Sequence, residues 1–243
     1  MKIASVVLLA VCLALTPFFF FQDNGMKRAL ELYIPIACTG PDFGFKYTVG
    51  TGFPVGKNLV MTAKHVDCGY NNITEISFDN GKTWEWIQEA DILVSVDADI
   101  RIYKTRSDYQ HSPATFRKAV LGETTYGYGV AFNIIGTTGH VLRSDQDGVI
   151  VTNTAAGGMS GSALVTADGE VVGMTVQAQA TRVGYTPTSY VSYAIPVQIL
   201  QEQLEILKKG QPQYNPVPPP VPDTTRVPSP DDPIILPLPH YPR

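Results

Sequence analysis

Residues 59–66 read Leu59-Val60-Met61-Thr62-Ala63-Lys64-His65-Val66. A short β-prone run ends in small residues and presents a histidine. Just upstream stands Gly50-Thr51-Gly52-Phe53-Pro54-Val55. Downstream, Asp97-Ala98-Asp99-Ile100-Arg101-Ile102-Tyr103 places an aspartate at the head of an alternating strand. Further on, Ala156-Gly157-Gly158-Met159-Ser160-Gly161-Ser162 sets a serine in a glycine-lined turn, directly before the apolar run Ala163-Leu164-Val165.

Each of these residue types suits one part of acyl transfer. A serine hydroxyl is a poor nucleophile at neutral pH and needs an adjacent base. Imidazole serves, because histidine titrates near the working pH. The base in turn needs a carboxylate that holds its tautomer and stabilises the imidazolium. The developing oxyanion needs backbone N–H donors, and glycine lets the chain curl to aim them. The sequence offers His65, Asp99 and Ser160 as base, orienting carboxylate and nucleophile. Asp91 and Asp97 compete with Asp99, which is preferred because Ile100 and Ile102 follow it in alternation. Ser162 competes with Ser160. His111, His140 and His240 lack the small-residue strand context of His65.

The surrounding pattern is β-rich. Runs of Val, Ile, Thr, Tyr and Phe alternate with Gly/Asp/Asn turns from residue 26 onward. Strands are expected near 31–37, 45–53, 58–63, 73–78, 83–87, 91–96 and 99–103. A second set is expected near 117–121, 125–131, 139–143, 147–152, 161–165, 170–178 and 189–194. Asp79-Asn80-Gly81 and Ala167-Asp168-Gly169 read as hairpin turns, where glycine takes positive φ. Two groups of about six strands predict an all-β fold of two six-stranded antiparallel barrels. One C-terminal α-helix follows, with Pro196 in its first turn and Val197, Leu200, Leu204 and Leu207 on one face. Lys208, Lys209 and Gly210 suit its C-terminal end.

The termini differ in kind from this body. After Met1-Lys2, residues 3–21 carry no charge. That run fits a signal peptide or a membrane anchor, and both readings stay open. Twelve of the last 33 residues are proline, a composition that cannot bury a core. Residues 1–25 are therefore expected to be a signal peptide or anchor, 26–210 the folded domain, and 211–243 a disordered tail that could meet a proline-recognising partner. The domain is expected to be exported, either secreted or periplasmic, or tethered by its N-terminus.

Eighteen basic against 22 acidic side chains, with no cationic run, argue against a nucleic-acid partner. Three cysteines, Cys12, Cys38 and Cys68, show no metal-ligand spacing, so no structural zinc site is expected, and the acyl-transfer chemistry requires no cofactor. Cys38 and Cys68 flank the His65 region. They would pair as a disulfide in an oxidising compartment, or remain two buried thiols.

Ala63-Lys64-His65-Val66, Asp99-Ile100-Arg101-Ile102 and Gly158-Met159-Ser160-Gly161-Ser162 resemble the three active-site motifs of trypsin-like serine proteases. Their order matches that family and differs from those of subtilisins and α/β-hydrolases. The nearest likeness is to the bacterial and viral-type branch that includes the Deg/HtrA proteases. Gly169-Glu170-Val171-Val172-Gly173-Met174 and Tyr193-Ala194-Ile195-Pro196 resemble that branch's later strands. The likeness spans about residues 40–209 and includes no PDZ-like segment. It implies a chymotrypsin-like serine endopeptidase acting on protein or peptide substrates, with Gly158 and Ser160 N–H as oxyanion hole. It also implies a specificity pocket with Thr154 at its floor and Thr175 and Val176 in its wall. No carboxylate stands at residue 154, so a small or medium apolar side chain is expected before the scissile bond. The alternatives are a catalytically silent protease-fold module that binds through its proline-rich tail, and a serine esterase, which usually uses another fold.

Overall fold

The computed structural model describes residues 24–40, 46–69, 72–95, 98–131, 133–183 and 186–209. Two antiparallel β units dominate. The first holds strands β1 (Ile34–Thr39), β2 (Lys46–Gly56), β3 (Leu59–Thr62), β4 (Ile73–Ile76), β5 (Glu85–Ile87), β6 (Ile92–Val94) and β7 (Arg101–Lys104). Their spatial order is β5-β4-β1-β2-β3-β7-β6. The second holds β8 (Thr124–Ala131), β9 (Asn133–Ser144), β10 (Val149–Val151), β11 (Ala163–Thr166), β12 (Val171–Val183) and β13 (Thr186–Pro196). These close as a six-stranded barrel in the order β10-β13-β12-β11-β8-β9.

The all-β, chymotrypsin-like architecture is thus present, with one correction of detail. The first unit is a seven-stranded sheet rather than a six-stranded closed barrel. Its edge strands β5 and β6 are three residues each and pair only with β4 and β7. Yet β5 and β6 are joined by residues 88–91 alone. Four residues reach at most about 15 Å, so the two edges must curl toward one another. The result is a half-barrel.

One core serves both units. Ile36, Phe53, Met61, Ile102 and Tyr103 of the first cluster with Val165, Val171 and Met174 of the second. A smaller group, including Val141, Val151, Leu164 and Val172, fills the far half of the closed barrel. The C-terminal helix α2 (Val197–Lys208) crosses back toward the first unit. Val197, Leu200 and Leu204 are buried, and Gln203 Oε1 accepts from Ser95 Oγ at 2.7 Å. Pro196 is the last residue of β13, opposite Gly173, so the helix begins one residue later than predicted. The Leu207 side chain, Gly210, residues 1–23 and the proline-rich stretch lie outside the described residues.

Two further expectations are corrected. Residues 24–31 form a helix, α1 (Asn24–Glu31), where only β structure was expected. Its buried face is made of Gly25 and Ala29, too small to register as an apolar stripe. A methyl group on Gly25 would meet the Tyr126 ring at 2.3 Å, so glycine lets the helix lie directly on the barrel. Residues 117–121 are not a strand. Val120 and Leu121 are exposed, and Gly122 turns the chain at φ +81°.

Candidate active site

The ladder between β3 and β7 explains how His65 meets Asp99. Leu59 faces Lys104, and the register runs on to Thr62 opposite Arg101. The same register carries past both strands, and Lys64 N–H donates to Asp99 O at 3.2 Å. The next residue is His65. Its backbone N–H donates to Asp99 Oδ1 at 3.0 Å, and its Nδ1 lies 2.7 Å from Asp99 Oδ2. Two contacts from one carboxylate fix both the main chain and the ring. With Nδ1–H donating, Nε2 is left as the free acceptor. Of the competing acids, Asp91 sits in the 3-10 turn Glu89–Asp91 and makes no described bond to His65. Asp97 lies outside the described residues.

Residues after His65 are held from three sides. Cys68 is disulfide-bonded to Cys38 on β1, with Cα atoms 5.3 Å apart. Arg101 donates from Nη1 to Val66 O at 3.3 Å and from Nη2 to Asp67 Oδ2 at 3.0 Å. Tyr103 O–H also donates to Val66 O. Burial alone would push the Arg101 guanidinium down, but the Asp67 carboxylate bonded to it keeps it above its ordinary value. Reciprocally, the bond from Arg101 holds the Asp67 carboxyl below its ordinary value, against a smaller opposing effect of burial.

The serine turn is built differently. Gly158 and Gly161 take φ +93° and +86°. Gly161 is also sterically required: a methyl there would sit 2.0 Å from Thr51 O and 2.2 Å from Thr62 Oγ1. The turn therefore rests on the first unit, three residues before His65. Its peptides are pinned by hydrogen bonds. Met159 N–H donates to Ala156 O, Ser162 N–H to Met159 O, Gly161 N–H to Thr175 O, and Thr51 N–H to Ser160 O. Met159 itself is 2% exposed, under a contact with Gly129. Several N–H groups of the turn, Gly157 among them, are left without a described acceptor. Neither Gly158 N–H nor Ser160 N–H has an acceptor among the described residues.

Ser160 Oγ donates to Val176 O at 3.5 Å, the edge of hydrogen-bonding distance. It is not bonded to His65 among the described residues. Thr175 is buried beside the turn and Val176 is half-buried. Thr154 stands exposed beyond β10, and no described hydrogen bond ties it to Ser160. Ser162 is fully buried with an unpartnered hydroxyl, placed away from solvent. Sequence reading had assigned no role to Thr51, Asp67 or Arg101. Thr51, a buried hydroxyl residue between two glycines, carried the one visible signal.

The comparisons agree with this architecture. The profile of the trypsin-like peptidase domain matches residues 50–174, more than half of the 243-residue chain. The crystal structure of the serine endoprotease from Yersinia pestis superposes with a TM-score of 0.62 at 18% identity. The match covers 77% of this chain and 66% of that one, so the chain spans just under two thirds of that structure's length. At this identity the likeness speaks for the fold. No curated protein matches by sequence. From the profile match over this two-unit β fold, the chain belongs to the trypsin-like peptidase domain family.

Proposed function

We propose that the protein is a serine endopeptidase with His65, Asp99 and Ser160 as its triad. The observation that carries this reading is the two-point grip of Asp99 on His65, set beside a turn in which the Gly158 and Ser160 N–H groups have no acceptor among the described residues. Ser160 Oγ attacks the scissile carbonyl carbon and passes its proton to His65 Nε2. Gly158 and Ser160 N–H stabilise the resulting oxyanion. The C–N bond then breaks, His65 returns the proton to the leaving amine, and an acyl-enzyme remains on Ser160. Water, deprotonated by His65, releases the acid and restores the serine. Ser160 must first rotate away from Val176 O, a change between staggered wells. Active-site bonds in unliganded enzymes are often long and tighten with substrate.

Substrates are peptides with a small or medium apolar side chain before the cleaved bond, received between Thr154, Thr175 and Val176. The protease domain takes in residues 26–210, to which helix α1 adds Asn24 and Gly25; the residues before it are a leader or anchor, and 211–243 a tail available to partners. The Cys38–Cys68 disulfide supports export to an oxidising compartment, secreted, periplasmic or membrane-tethered. No helix among the described residues is long and apolar enough to cross a membrane. No cofactor takes part in this chemistry.

The bond of Ser160 Oγ to Val176 O, with none described to His65, favours a second reading, a silent protease-fold binding module. A fluorophosphonate probe separates the two. The first reading expects covalent labelling of the wild-type chain and none of Ser160→Ala. Absence of labelling in the folded wild type, or labelling that survives the substitution, overturns it.

A further inference from the structure

Thr51 occupies an unusual place between the two β units. It lies on β2 of the half-barrel, is fully buried, and touches the serine turn through both its backbone and its side chain. Its N–H donates to Ser160 O at 2.9 Å. Its hydroxyl donates to Gly158 O at 2.8 Å. The same oxygen accepts from Val130 N–H of β8 at 3.4 Å, which leaves the hydroxyl proton directed toward Gly158. Bonds between residues 79 and 107 positions apart thus run in a chain from barrel to half-barrel and back to the turn.

The Gly158–Met159 peptide lies between the Gly158 and Ser160 amides. Its N–H is tied to Ala156 O and its carbonyl to Thr51 Oγ1. Fixing that plane restrains how the Gly158 and Ser160 N–H vectors can lie relative to one another. Without the hydroxyl, one side of the peptide is released at a glycine that moves freely about its backbone torsions. Preorganised donors act by already pointing to where charge develops, so an angular error reduces their effect chiefly in the transition state.

We infer that Thr51 is a positioning residue that sets the oxyanion donors through its hydroxyl, an inference that rests on the triad reading above. Thr51→Val keeps the shape and the backbone bond to Ser160 but removes the hydroxyl. Thr51→Ser restores the hydroxyl. The assay uses full chain and a peptide p-nitrophenyl ester with alanine or valine at the acyl position. A peptide boronic acid of the same sequence serves as the tetrahedral mimic.

Expected for Thr51→Val is a fall in kcat of about 10- to 100-fold with KM within about twofold, since a positioning defect is smaller than loss of a donor outright. Boronate affinity should fall in parallel, and Thr51→Ser should recover most of both. Unchanged kcat in Thr51→Val overturns the inference. So does a loss shared between kcat and KM, or one that Thr51→Ser does not recover while thermal melts show a loosened fold. A wild-type chain that neither hydrolyses ester nor labels with fluorophosphonate fails at the earlier step, and the triad reading falls with it.

Discussion

The histidine corner and the serine turn sit side by side but are held by opposite means. The corner is fastened by side chains: a disulfide at Cys68, a guanidinium at Asp67 and Val66, a carboxylate at His65. The turn is fastened by main chain, with Thr51 as the one side chain among the described residues that bonds into it from the other unit. A side-chain bracket can be cut without moving backbone. A main-chain bracket fails when anything is added where only hydrogen fitted. The two halves should therefore be vulnerable to different changes.

The largest effect is expected from Gly161→Ala. A positive φ and a backbone oxygen 2.0 Å from the new methyl leave the turn no way to stay in place. We expect kcat/KM to fall by about 10³-fold or more, as for loss of an oxyanion donor, measured with the ester substrate. A near-normal rate would show that the turn is less tightly seated on the half-barrel than this comparison requires.

Next comes Cys38→Ala/Cys68→Ala. The bridge closes a loop with a sequence separation of 30, for which chain entropy gives about 3–4 kcal/mol of stability. That corresponds to a melting temperature lower by about 10 °C. Below the melt, fluorophosphonate labelling of Ser160 should persist, because the turn does not depend on that bridge. Labelling lost while the fold remains would dissolve the distinction between the two halves.

The smallest effect is expected at Asp67→Asn. Breaking a buried pair can cost 3–5 kcal/mol, but the Asp67 side chain is 54% exposed, so about 1 kcal/mol is the expected loss at pH 7. The sign with pH follows from the lowered carboxyl. Its contribution is fully present above the ordinary value of 3.8 and disappears as pH falls through the folded value. Urea midpoints of wild type and variant should therefore converge in strong acid and differ at neutral pH. A constant difference at all pH values would remove the charge from this account.

Much of the site was readable because it is local. His65 lies three residues beyond one strand and Asp99 two before another, and antiparallel pairing of those strands suffices to bring them together. The serine turn announced itself through its glycines. The alternation at Ile100 and Ile102 was also genuine, but it hid something. Arg101 and Tyr103, on the opposite face, are buried as well. A period of two indicates an inner and an outer face only where one face meets water. Here both are covered, so the Arg101 bracket was invisible until the loop after His65 folded over it. Helix α1 was missed for a related reason, since Gly25 and Ala29 bury by being small rather than apolar. Thr51 illustrates the remaining limit: its partners stand in the second unit, and no local pattern specifies a bond across 107 residues.

One consequence of the Met159 plug concerns switching. The residue before Ser160 fills its place with a neutral thioether, and every group bonded to the turn is an amide, a carbonyl or a hydroxyl. None of these gains or loses a proton in ordinary buffers. Among the described residues the turn therefore has no ionic latch. The contacts that shape it would stay the same as pH changes.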